Sequence, residues 1–270
     1  MFSIFTKPRV VEDQTANNIF AVFQWALENF DATAFVRSTD LVKPTRESFP
    51  DRADNELDMV KNAYARVLQY SGLASWPFVL VPQQQVAAAA PPRLTLQTTQ
   101  RANNSSAVAA SNDVLMVSYS APMLKKPMDL VASMSKAVAQ HYLYQTGLVP
   151  PAGLESFNET SEILSVFMGF GVLVANSAYT FRGSCARCYD PNANRVAALS
   201  ESEAIFCLAV FGVLKEIPSK QITVLLKPYL RTTYKKAVKQ VLRDEENLAI
   251  CRKLITLEQL NSTSHLQVSR

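Results

Sequence analysis

The sequence predicts an α+β protein, mainly α-helical, with a small sheet in its first half. Three observations carry this. Long stretches such as Thr15–Phe30 and Asn55–Tyr70 repeat apolar residues at helical spacing. Two short β-branched runs, Trp76–Pro82 (WPFVLVP) and Val114–Tyr119 (VLMVSY), read as strands. Beyond Tyr119 the periodic stretches all have the helical period.

In order along the chain, Thr15–Phe30 places Ile19, Phe20, Phe23, Trp25, Ala26, Leu27 and Phe30 close to helical spacing. Lys43–Asp51 (KPTRESFPD) carries two prolines and reads as loop. The next helix, Asn55–Tyr70, is stopped by Gly72, which suits the left-handed position past a helix end. Residues Gln83–Asn112 shift to Gln, Ala, Ser, Asn and Thr with Pro91-Pro92, a low-complexity loop with room for a short strand at Leu94–Thr99. Helices are then expected near Met128–Gln145 and Glu159–Tyr179. Another starts at Ser200, where Ser200 and Glu203 have capping-box spacing. Two more follow near Ser219–Leu226 and Pro228–Leu254, and the polar tail after Glu258 is expected to fray. The segments are thus 1–82, ending in a strand; the loop 83–112; a helical region 113–257; and a flexible tail 258–270. Together they are expected to form one globular unit.

With 48% apolar and 19% charged residues, the composition is globular and excludes global disorder. A net charge of +4 does not by itself call for nucleic acid or a membrane surface. Four cysteines are too few for a secreted disulfide scaffold, and the start MFSIFTKPRVVEDQ has no secretory apolar region; both point to a reduced, cytoplasmic protein. The apolar runs Ile163–Ala175 and Ala204–Leu214 fall short of the roughly 20 residues a spanning helix needs, so both read as core helices and no membrane contact is expected.

The stretch SMSKAVAQHYL holds His141, one of two histidines in the chain. Ala137 and His141 lie four apart on one helical face, the spacing of the two ligands in an H-E-x-x-H zinc site. Here the five positions read Ala137-Val138-Ala139-Gln140-His141, so a methyl group replaces the first ligand and an isopropyl group replaces the general base. A lone His on such a face also has a plain reading, as a hydrogen-bonded core residue.

Several stretches together resemble a family of bacterial zinc-peptidase-like (zincin-like) proteins, mostly uncharacterised. They are Phe23-Gln24-Trp25-Ala26-Leu27, LVKPTRESFPD, Trp76-Pro77 before a strand, and MDLVASMSKAVAQHYL where the family tends to carry LVATLAHELAHYLL. ETSEILSVFMGFGVLVANS and LSESEAIFCLAVF complete the set. The resemblance implies a zincin-like helical core and puts the family's acidic third ligand on Glu162, with Glu159 a neighbouring option. His141, Glu162 and Glu159 are then the vestigial metal candidates. No catalytic residue and no bound metal or cofactor is expected, because a catalytic zinc takes three protein ligands and an open water position. His141 is expected to hydrogen-bond a neighbour such as Glu162.

Two further constellations stand out. Cys185-Ala186-Arg187-Cys188 has knuckle spacing but lacks a second pair, so it reads as a thiol pair in a loop before it reads as zinc. Between Ser219 and Arg243 seven cations occur with no acid, and Arg231, Lys235 and Lys239 recur at i, i+4 as an anion-binding face. Gly169-Phe170-Gly171 follows no strand, so it is no dinucleotide loop and is expected to permit close helix–helix approach. The function expected is that of a non-catalytic, degenerate metallopeptidase-like module that binds or regulates a protein partner. Two alternatives stand beside it: a metal-dependent hydrolase using His141 and Glu162, and a basic-helix module binding nucleic acid or an acidic protein.

Overall fold

The computed structural model describes residues 9–30, 32–85, 90–96, 101, 107–108, 113–178 and 195–268, with side chains for all of these except 96, 107–108 and 258–268. It is α+β and mainly helical with a small sheet, as the periodicities predict. The first helices are α1 (Asp13–Asn29), α2 (Ala32–Arg37) and α3 (Glu56–Ser71). Asn55 caps α3 by accepting the Asp58 N–H, and Gly72 ends it at φ 69°. Strand β1 (Phe78–Pro82) pairs in parallel with β4 (Leu115–Tyr119), and between them the two-residue strands β2 (Thr95–Leu96) and β3 (Ala107–Val108) pair antiparallel. Leu115 and Val117 face the core while Met116 between them is exposed, the alternation of a half-buried strand.

Helix α4 (Pro127–Thr146) lies against α3, β4 and the following helix, α5 (Phe157–Ser165). The single helix expected over Glu159–Tyr179 is instead three pieces: α5, a π-helical turn over Val166–Phe170, and α6 (Gly171–Ser177). The break is at Gly169, whose φ of 101° no L side chain adopts readily. Its carbonyl accepts the Val42 N–H at 2.9 Å, and a Cβ there would sit 2.1 Å from the Asp40 carbonyl oxygen. Gly169 therefore anchors the chain entering the 43–51 loop. The close helix–helix approach expected of this motif belongs to Gly171, where a Cβ would meet Leu208 at 2.8 Å.

Helix α7 (Glu201–Leu214) starts in the expected capping box, with Ser200 and Glu203 exchanging both hydrogen bonds. It is apolar on all sides and buried from Ala204 to Gly212, as a central helix must be. Phe20 and Phe206, and Phe35 with both Phe167 and Phe211, tie α1, α2 and the π turn to it. The run Leu154–Ser177 is long and apolar enough to cross a membrane, yet its most apolar window is 100% buried, so its hydropathy is that of a core element.

The end of the chain differs from expectation in two respects. After the short α8 (Ser219–Thr223), the helix expected over Pro228–Leu254 divides into α9 (Arg231–Arg243) and α10 (Glu245–Val268). Asp244 makes the break: its side chain accepts the Asn247 N–H at 3.2 Å and starts a new helix. The tail expected to fray after Glu258 continues helical to Val268.

Gly169→Ala should destabilise the fold by at least about 3 kcal/mol, through strained φ and contact with a backbone oxygen that cannot rotate away. Gly171→Ala should cost less, since it meets a leucine side chain able to shift. Urea unfolding of both variants checks this, and equal losses would contradict the anchoring role of Gly169.

Candidate functional site

The residues singled out on α4 and α5 do not converge. His141 is half-buried at the α4–β4 contact. Its Nε2 lies 2.8 Å from the Met116 carbonyl oxygen, which can only accept, so Nε2 carries the proton. The ring stands edge-on to Phe78 at 5.7 Å. Burial lowers the His141 pKa, opposed by the bond to Met116. Val138, at the general-base position, is fully buried, and Ala137 is half-buried.

Glu162 is fully buried on α5. One carboxylate oxygen accepts from Arg195 Nη2 at 2.5 Å, and the other accepts the Ala198 backbone N–H at 2.6 Å. Lys136 Nζ lies 3.5 Å from the second oxygen. The α4 residue facing Glu162 is therefore Lys136. At 100° per residue, Lys136 and His141 are roughly 140° apart around α4, so one helix cannot aim both at the same carboxylate. The expected bond between His141 and Glu162 is not made, for this geometric reason. Glu159 is exposed and does not join the buried carboxylate.

The surroundings extend the polar cluster. Burial lowers the Lys136 pKa, with Glu162 pulling it back. Asp129, in the first turn of α4, is 2% exposed, and burial raises its pKa against the pull of Lys126, Lys227 and Arg195. Its carboxyl accepts a bond from the Arg195 backbone N–H, while Oδ2 has no partner. Arg195 Nε and Nη1 are likewise buried without a hydrogen bond. Nearby, Ser165 Oγ donates to Ser135 Oγ at 2.7 Å, because Ser135 already donates to the Ala132 carbonyl. This arrangement fastens the chain at 195–198 to α4 and α5. The carboxylate is thus fully buried and already meets a guanidinium, an ammonium and an amide.

Among the described residues no group of three or more His, Cys, Asp or Glu side chains is placed to hold a metal ion. Cys185 and Cys188 lie outside the described residues. Cys207 and Cys251 are free and buried; burial pushes the Cys207 thiol well up and the Cys251 thiol up to about 12. On α9, Tyr234, Ala237 and Val241 face the core. Lys235, Lys236 and Lys239 are exposed, but Arg231 is half-buried with Nε donating to the Leu226 carbonyl at 3.0 Å. The exposed cationic stripe thus takes Lys236 in place of Arg231.

Sequence reasoning missed Lys136, Asp129 and Arg195. A signal existed for the first two, which are the only charged residues between Met128 and Leu143 in an otherwise apolar helix. Arg195 arrives from outside any periodic element and left no such mark.

Glu162→Gln should cost about 3–5 kcal/mol, because it leaves Arg195 buried without its counter-charge. A loss under about 1 kcal/mol in urea unfolding would mean that the pair is solvated. The His141 prediction concerns pH. Its folded pKa lies below the ordinary 6.5, so the stability carried by the neutral ring is full above 6.5 and is lost as pH falls through the folded value. Asp129, shifted upward, acts in the opposite sense, so the parent curve mixes the two. The difference between the parent and His141→Gln across pH 7 to 5 isolates the histidine, and parallel curves would contradict its shift.

No family model matches this chain, and neither a curated protein nor a solved structure matches it either. The zincin-like resemblance therefore rests on the sequence stretches quoted above.

Proposed function

We propose that this chain is a non-catalytic, degenerate relative of zincin-like proteins that works by binding an acidic protein partner. The observation that carries the reading is the state of Glu162. The carboxylate that the resemblance assigns to zinc is held by Arg195, Lys136 and the Ala198 N–H, so fixed protein cations supply the positive charge a metal would bring. The histidine assigned to the same site is spent on the Met116 carbonyl. A fold with these groups committed acts through its surface. The strongest charged surface element is the α9 stripe of Lys235, Lys236 and Lys239, exposed and without an ion-pair partner among the described residues. An acidic protein is favoured over single-stranded nucleic acid because Tyr229 is the one large exposed aromatic among the described residues, and stacking needs several. The two free buried thiols accord with a cytoplasmic setting.

Two measurements test the reading. Calorimetric titration of chelator-treated protein with zinc should yield no tight site, and stoichiometric binding that Glu162→Gln abolishes would restore the hydrolase alternative. Retention on an immobilised polyglutamate matrix should fall between 0.1 M and 1 M salt, as the Debye length shrinks from about 10 Å to about 3 Å. The Lys235→Glu, Lys236→Glu, Lys239→Glu variant should lose that retention while keeping its far-UV spectrum. Retention equal to the parent's would reduce α9 to a solvated face, and preference for single-stranded DNA over polyglutamate would favour the nucleic-acid alternative.

A further inference from the structure

A second surface feature owes nothing to α9 or to the vestigial site. The 43–51 loop, α3 and the start of α4 enclose a groove of about 350 Å³, within the size range of small-molecule sites. Its deepest residues are Val131 and Leu173, 4% and 1% exposed. Phe49, Met59, Ala63 and Met128 complete an apolar chamber. Two thioethers make it adaptable to an unbranched chain, because methionine adjusts its rotamers to what it contacts.

The groove adjoins a second, polar chamber of about 490 Å³, and Arg46, Phe49, Asp51 and Ala53 line both. Four charged side chains line that polar chamber: Arg46, Asp51, Arg52 and Asp54. Asp51 is already neutralised by Arg66, which grips both its oxygens at 2.7 and 2.9 Å. That leaves Arg46 and Arg52 against Asp54. Arg46, which alone of these cations also borders the apolar chamber, is exposed and has no ion-pair partner among the described residues. An apolar pocket that opens beside an uncompensated guanidinium matches a ligand with a hydrocarbon body and an anionic end.

We propose that this groove binds a small amphipathic carboxylate, with an alkyl chain in the chamber floored by Val131 and Leu173 and the carboxylate at Arg46. The acid of the pair at Asp51 repels no such ligand because Arg66 holds it. Gly169 has a part in the site, since its carbonyl fixes Val42 and so the entry to the loop that forms the groove's lip. The proposal stands apart from the partner surface on α9, and neither fails with the other.

Isothermal titration with decanoate, decylammonium and decanol, each below its micelle concentration, tests it. Decanoate should bind the parent, and decylammonium should bind at least about tenfold more weakly, the ratio that about 1.4 kcal/mol of charge discrimination produces. Arg46→Gln should remove the preference for decanoate while leaving decanol binding unchanged, and Arg46→Lys should restore much of it. Ala63→Trp should fill the chamber and abolish binding of all three. Ala53→Trp, on the exposed loop, does the same from the lip if the helical variant is unstable. No heat from decanoate at millimolar concentration, equal binding of decylammonium, or full binding by folded Ala53→Trp or Ala63→Trp would each overturn the assignment.

Discussion

A negative charge with no solvent contact is the constraint around which the second half of this molecule is arranged. Glu162 is fully buried, and an isolated carboxylate in such a place would cost several kcal/mol. Two separate parts of the chain meet that cost: α4 supplies Lys136, and the segment after 194 supplies Arg195 and the Ala198 amide. The segment so fixed runs directly into Ser200, the cap of α7. The position of the central apolar helix is thus tied to the Glu162 carboxylate through Arg195 and Ala198, which lie a few residues before its first turn. Hydrophobic burial alone would not set that position sharply, because α7 is apolar on all sides and presents no preferred face.

The same cluster explains how a residue can be correctly singled out and its role misread. Glu162 stands in a run of small and apolar residues, and a carboxylate there must have a partner. The sequence makes that much legible. Which partner is a matter of angles around α4, where roughly 140° separates Lys136 from His141 and only one of them can face the acid. Lys136 was the residue at the right angle, and His141 faced the sheet. Arg195 could not have been read at all, since no periodicity links residue 195 to residue 162.

The fold shows the same division. Helices with caps at both ends, such as α3 between Asn55 and Gly72, or α7 after Ser200, follow from local chemistry and were legible. The breaks were not. Gly169 reads as helix-compatible in an apolar run, and only the Asp40 carbonyl pressed against it reveals why its backbone turns. Asp244 was a readable cap, with two acids after it suited to a helix N-terminus, but the uninterrupted apolar period of α9 into α10 masked it. Helix α2 is too short for a period to declare itself; aromatic packing of Phe35 against Phe167 and Phe211 holds it in place.

Commitment of buried charges also separates the two kinds of surface on this protein. Inside, Glu162 is matched by two cations, and burial favours the neutral form of Asp129. At the surface, the α9 lysines and Arg46 remain unmatched among the described residues. An exposed cation is well solvated and costs the fold nothing, so its lack of a partner does not reflect incomplete folding. What distinguishes Arg46 from the α9 lysines is its neighbour. Beside the lysines the helix turns its apolar residues inward, and the charge meets only water. Beside Arg46 an apolar chamber stays open, and apolar walls offer water few hydrogen bonds. Displacing that water and pairing that charge require the same ligand, which is why an apolar carboxylate is matched to the groove and a simple anion to the helix.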